Sequence, residues 1–114
     1  MSNNTGYNYI GGHRSAAGTV VLRSVDATTG EALPQHFRQA TVEEVDAAAK
    51  AAAAAFPAYL SLPVSRRAEF LEAIADELDA LDDTFVATVC RETALPAARI
   101  QGERGRTSGQ MRLF

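Results

Sequence analysis

The chain has one cysteine, Cys90, two histidines, His13 and His36, and a concentration of charge between Glu69 and Arg112. A catalytic thiol needs a neighbouring cation, base or helix N-terminus to hold it as the thiolate. Cys90 instead shares helical spacing with Val86 and Val89, has no histidine near it in sequence, and reads as a buried structural cysteine. Neither histidine has a partner at metal-ligand spacing, which leaves both as surface or turn residues. The acidic run from Glu69 to Asp83 lacks the alternating oxygen ligands and central glycine of a calcium loop, so a solvated helix face accounts for it. Gly102-Glu103-Arg104-Gly105-Arg106 is neither a dinucleotide fingerprint nor a P-loop, and it does not follow a strand. As a single Arg/Gly copy in an acidic chain it is also thin support for RNA binding. What remains is the cluster Glu103, Arg104, Arg106, Thr107 and Gln110. Arg99–Glu103 and Glu103–Arg106 have ion-pair spacing on a helix, and Arg106–Gln110 are one turn apart. Two readings stay open: a helix pinned by side-chain pairs, or one arginine, Arg106, offering its planar fork to an anionic substrate group.

The elements that must position these residues divide at about residue 40. Residues 1–40 read as short β strands and turns, and 41–114 as a helical segment. Tyr7-Asn8-Tyr9-Ile10 reads as a strand ending in a turn at Gly11-Gly12. Thr19–Val25 is the clearest strand, dense in β-branched residues. Asp26–Gly30 is a turn, and a short extended piece is expected around Ala32–Leu33. From Thr41 the period becomes helical. Thr41 and Glu44 form a capping box, and Val45, Ala48, Ala49, Ala52 and Phe56 share a face, with Pro57 expected to kink or end the helix. A second helix opens at Pro63–Ser65 with the stripe Phe70, Leu71, Ile74, Leu78 and Leu81. Asp82-Asp83 suit the start of a third, burying Phe85, Val86, Val89 and Cys90 and ending near Glu92–Ala94. Leu95-Pro96 begins a fourth. Gly102, Gly105 and Gly109 fall inside it on one face, each costing roughly 1 kcal/mol relative to alanine. The packing reading, a bare backbone for close approach or for room beside a ligand, is preferred to a segment that is partly loop.

Composition bounds the class. With 46% hydrophobic and 22% charged residues in 114, the chain is globular, about one domain in size, and has no apolar run of membrane length. A net charge of −3 argues against a broad nucleic-acid surface. The polar Ser2-Asn3-Asn4-Thr5 start lacks a secretory pattern and the lone cysteine forms no internal disulfide, so the cytoplasm is the expected compartment. The apolar stripe is still running at Met111-Arg112-Leu113-Phe114, from which a truncated longer chain is expected.

Several segments together resemble the start of the aldehyde dehydrogenase superfamily. These are Asn8-Tyr9-Ile10-Gly11-Gly12, the Asp26–Glu31 turn with Ala27 where proline is usual, Thr41–Tyr59, and above all Arg67–Leu78. Glu92-Thr93-Ala94-Leu95-Pro96 matches the next junction, except that Ala94 replaces a glycine; left-handed backbone there would strain it. Gly102–Thr107 followed by Gln110, Arg112, Leu113 and Phe114 most resembles the α-ketoglutaric semialdehyde (2,5-dioxovalerate) dehydrogenases. The resemblance implies an α+β fragment, short strands followed by about four helices, within an α/β dehydrogenase fold. It implies oxidation of a small aldehyde, α-ketoglutaric semialdehyde to 2-oxoglutarate, with NAD or NADP. The nucleophilic cysteine, activating glutamate, oxyanion-binding asparagine and Rossmann-type cofactor domain would all lie beyond Phe114, so no catalytic, cofactor or metal residue is assigned here. The expected partners are the remainder of the chain and further copies of the parent, with no nucleic acid and no membrane. By the same resemblance the fourth helix lies beside the substrate tunnel, with Gly102 and Arg106 facing it. The competing function is a stand-alone helical module, without catalysis, that binds a partner protein through Met111–Phe114.

Overall fold

The computed structural model describes residues 6–114, so the polar start at residues 2–5 lies outside the described part. Short antiparallel strand pairs are followed by four helices, an α+β arrangement. Among the described residues the chain forms two compact units, one of residues 6–24 and 32–61, the other of 25–31 and 62–114.

In the first unit β1 (Asn8–Ile10) and β2 (His13–Ser15) form a hairpin with Ile10 opposite His13. Gly11 and Gly12 have φ of +58° and +82°, the two successive positive values that a tight two-residue hairpin turn requires. The turn was legible, the returning strand was not: His13-Arg14-Ser15 has no β-branched residue. The Thr19–Val25 expectation is corrected. Only β3 (Val21–Leu22) is strand, paired with β4 (Phe37–Arg38), which sequence gave no signal for. Val20, Val21, Leu22 and Val25 are all exposed, so the β-branched run has no sheet to bury it; regular pairing is two residues long, and beyond it the Leu33 amide donates to the Ser24 carbonyl in the extended piece expected at Ala32–Leu33.

α1 (Val42–Leu60) starts at Thr41, whose hydroxyl accepts from the Glu44 amide while the Glu44 carboxylate accepts from the Thr41 amide. The capping box is therefore present as expected. The same carboxylate accepts from the Ala17 amide (3.1 Å) and the Ser15 hydroxyl, tying the end of β2 and the residues just after it to the start of α1. The face turned inward is Glu44, Ala48 and Ala51, not the expected Val45, Ala49, Ala52 and Phe56. Glu44 is only 6% exposed, whereas Val45 and Phe56 are each 59% exposed. Polar anchoring decided this rotation, and the small Ala51 lets the hairpin turn close over it. Pro57 does not end the helix: three further residues follow, and its own carbonyl accepts from the Ser61 amide. Lying in the last turn, it leaves few helical hydrogen bonds beyond it to disturb.

In the second unit α2 (Val64–Asp79), α3 (Asp83–Thr93) and α4 (Ala97–Leu113) pack together, α4 mainly on α2 and also on α3. Pro63 and Pro96 stand just outside α2 and α4, where each carbonyl accepts the first helical hydrogen bonds. Asp82 caps α3, its carboxylate accepting from the Thr84 and Phe85 amides. The core of this unit is Ala75 on α2, Val86 on α3 and Ile100 on α4, joined by the buried Ser108. Phe85, Val89 and Cys90 are half-buried as α3's pattern required. The turn at residues 26–30 docks through the Ala27 amide on the Arg91 carbonyl, and Asp26 accepts from the Thr28 and Thr29 amides. α3 ends at Ala94 in left-handed backbone, φ 60° and ψ 15°, the conformation that makes alanine strained there.

Candidate functional site

α4 carries the charged cluster, and its composition sets how it sits. Only Ile100, Met111 and Leu113 are large and apolar in its seventeen residues. The packed side is the i+4 row Ile100, Arg104, Ser108, Arg112, and polar atoms make much of its contact. The Arg104 guanidinium donates to the Leu81 carbonyl just past the end of α2. Arg112 forks between two carboxylates of α2, Asp76 at 2.8 Å and Asp79 at 2.9 Å. Between them Ser108, 2% exposed, donates to the Gly105 carbonyl one turn back. The Ser108 hydroxyl, and then the Arg112 guanidinium, hold the Asp79 carboxyl below the usual carboxylate range. The Asp76 carboxylate, and then Asp79, push Arg112 further up.

The opposite row is Gly102, Arg106, Gln110, two residues out of step and so about 200° round the helix. Gly105 and Gly109 lie on the same outer side. A methyl group built on Gly102, Gly105 or Gly109 would meet nothing within 4 Å. The helix is continuous through all three, which removes the partly-loop alternative. Among the described residues nothing approaches the glycine face. Of the expected ion pairs on α4, Arg99–Glu103 is present at 2.8 Å, while Glu103–Arg106 is not formed. Arg106 is exposed and has no hydrogen-bond or ion-pair partner among the described residues. The helix is thus pinned by Arg99, Arg104 and Arg112, and Arg106 is the arginine of α4 left uncommitted.

The other candidates stay apart from this face. Cys90 is half-buried in α3. His13 lies exposed at the start of β2, and His36 contacts the Arg23 guanidinium. No group of His, Cys, Asp and Glu among the described residues is placed to hold a metal ion. A cavity of about 180 Å³ among Leu78, Phe85, Val89 and Ile100 lies on the packed side of α4, and neither Gly102 nor Arg106 lines it. Sequence reasoning missed the Arg112–Asp76–Asp79 fork and the buried Ser108. The i+4 row of polar residues running with Ile100 was the available signal, but a serine and two arginines do not read as a packed face.

Residues 14–114 match the model of the aldehyde dehydrogenase family. The chain is 42% identical over its whole length to an α-ketoglutaric semialdehyde dehydrogenase of Acinetobacter baylyi. It is 46% identical, over 96% of its length, to α-ketoglutaric semialdehyde dehydrogenase 2 of Azospirillum brasilense. An N-succinylglutamate 5-semialdehyde dehydrogenase of a Caulobacter species is 35% identical over 90% of the chain. The chain spans about a fifth of these relatives, 22%, 21% and 21% of their respective lengths. With the family model matched over nearly all of its residues, and with strands, helices and the left-handed Ala94 junction where the sequence resemblance implied them, the chain belongs to the aldehyde dehydrogenase family.

Proposed function

We propose that the chain is the N-terminal part of a cytoplasmic, NAD(P)-dependent aldehyde dehydrogenase that oxidises α-ketoglutaric semialdehyde to 2-oxoglutarate. On this reading Gly102 and Arg106 border the substrate's path. Residues 1–40 are the N-terminal strands and turns, residues 41–114 lead into the cofactor-binding domain, and the whole chain assembles with copies of itself. The aldehyde, water and NAD(P)+ go to the acid, NAD(P)H and a proton, the nicotinamide accepting the hydride. Residues of this chain bind and orient and take no part in bond making.

One observation carries the reading. Three glycines on α4, each costing roughly 1 kcal/mol against alanine, border a face that nothing among the described residues covers, and the uncommitted Arg106 stands on it. The bare backbone leaves room, and a guanidinium with free donors is suited to a carboxylate. The substrates named for the three relatives are semialdehydes of acids, molecules with an aldehyde at one end and a carboxylate elsewhere. Among the described residues no helix is long and apolar enough to cross a membrane.

The test is steady-state NAD(P)H production by the full-length dehydrogenase carrying Arg106→Leu. The kcat/KM for α-ketoglutaric semialdehyde is expected to fall roughly 10- to 100-fold, the loss of a charge-assisted hydrogen-bonded pair. The kcat/KM for pentanal, which has no carboxylate, should change far less. An unchanged preference for the acid semialdehyde refutes the role of Arg106.

A further inference from the structure

If Arg106 meets a substrate carboxylate, as proposed above, something must fix the direction in which it points, and apolar packing of α4 is a poor candidate. Only Ile100 and Ser108 of the helix are buried, and no side chain caps its start. Burial of apolar area is non-directional, whereas hydrogen bonds from a planar guanidinium are not. The directional contacts lie on one row. Arg112 reaches two acids of α2 that are three residues apart, Asp76 and Asp79. Arg104 holds the Leu81 carbonyl one turn towards the start of Ser108's row.

We infer that Arg112, with Asp79 as its partner, is a positioning residue for substrate selection: its fork to α2 fixes the roll of α4 and so aims Arg106. The geometry gives the size of the effect. A helical side chain's end lies roughly 6 Å from the helix axis, so a roll of about 30° moves the Arg106 guanidinium by about 3 Å. That displacement breaks a two-point hydrogen bond to a carboxylate, whose donor–acceptor distances tolerate only a few tenths of an ångström. It leaves an uncharged chain in the same space nearly indifferent. At the Arg112–Asp79 pair both side chains are partly exposed (42% and 43%), so its loss is a modest perturbation of the fold, and a small change in the roll of α4 registers first in selection between substrates.

The experiment uses the full-length dehydrogenase with Arg112→Leu, Asp79→Asn, Arg112→Lys and, as reference, Arg106→Leu. The readout is the ratio of kcat/KM for α-ketoglutaric semialdehyde to that for pentanal. Arg112→Leu should lower this ratio roughly tenfold, Asp79→Asn should lower it in the same direction, and Arg112→Lys should recover part of it. Asp79→Asn keeps the side-chain volume, so it reports even where Arg112→Leu fails to fold. A purely structural role would depress both substrates in parallel. The inference is overturned if Arg106→Leu collapses the ratio while Arg112→Leu and Asp79→Asn leave it within about twofold of the wild type. A ratio insensitive to Arg106→Leu removes the carboxylate reading itself, and the inference with it.

Discussion

Ala94→Gly should stabilise the chain, although it deletes a methyl group and introduces the most flexible residue. Ala94 follows the last turn of α3 at φ 60°, and its amide donates to the Cys90 carbonyl at 2.9 Å, so the left-handed cap is engaged. An L-residue there costs about 1–2 kcal/mol because Cβ crowds the following carbonyl. Glycine removes that cost but adds about 0.4–1 kcal/mol of unfolded-chain entropy. Ala94 is exposed, so no buried methyl contact is lost. The balance is a gain of about 0.5–1 kcal/mol. Ala80 provides the opposite case at the end of α2, also exposed but right-handed at φ −76°. Ala80→Gly relieves nothing and should cost about 0.5–1 kcal/mol. The assay is urea unfolding of the 114-residue chain followed by far-UV circular dichroism. Ala94→Gly should raise the midpoint and Ala80→Gly lower it, with the slope unchanged in both. If the two variants move in the same direction, backbone handedness is not what distinguishes these positions, and the reasoning fails.

Two further predictions use the same assay. Gly18 and Gly102 separate a glycine required by space from one that is not. A methyl on Gly18 would sit 1.9 Å from the Gln39 carbonyl oxygen, so Gly18→Ala should destabilise by about 1–3 kcal/mol, whereas Gly102→Ala meets open space and should stabilise by roughly 1 kcal/mol. Equal effects at the two sites would contradict the structure. Acid should weaken the fold. The Glu44 carboxyl is lowered by the Ser15 hydroxyl and then by backbone donors, Asp79 by Ser108 and then Arg112, and Asp82 chiefly by the Phe85 amide. All three therefore favour the folded state in their charged form. Their contribution is complete above the ordinary carboxylate range, about pH 4, and is lost as pH falls through the lower folded values. The urea midpoint should be flat from about pH 7 to 5 and fall below about pH 4; a midpoint that rises on acidification would be incompatible with these contacts.

The helical part of the fold was legible because its signals are local. The capping box at Thr41 and Glu44, the Asp82 cap, the prolines before α2 and α4 and the α3 stripe each act within one turn, and each stands where the residues put it. The strands were harder. β4 forms where Phe37 and Arg38 find β3 across fourteen intervening residues, and nothing in their own sequence announces that pairing. The face of α1 was misassigned for a related reason. Periodicity ranks Val45 and Phe56 as inward by hydrophobicity, but Glu44 bonds Ser15 and Ala17 nearly thirty residues away, and those bonds set the rotation. In the candidate site Arg106 and Gly102 could be singled out from type and spacing. That Arg106 alone of α4's arginines is uncommitted could not, because the commitments of Arg104 and Arg112 are to α2.

The exposed residues carry an argument of their own. Val45 and Phe56 on α1, Phe70 on α2 and Leu113 on α4 are each more than half exposed, and the sequence pattern places three of them on faces meant for burial. Glycines at 102, 105 and 109 weaken α4 with no compensating contact among the described residues. A sequence selected only for the stability of these 114 residues would have replaced both features, since Gly→Ala and surface Phe→polar changes are readily available stabilising steps. On the proposed function, the apolar faces and the bare α4 backbone meet surfaces that the described residues do not supply. Gly102→Ala makes this testable as a conflict between two measurements: it should raise the urea midpoint of the 114-residue chain, yet lower kcat/KM for α-ketoglutaric semialdehyde in the full-length dehydrogenase. A variant that improved both would show that the glycine face borders nothing.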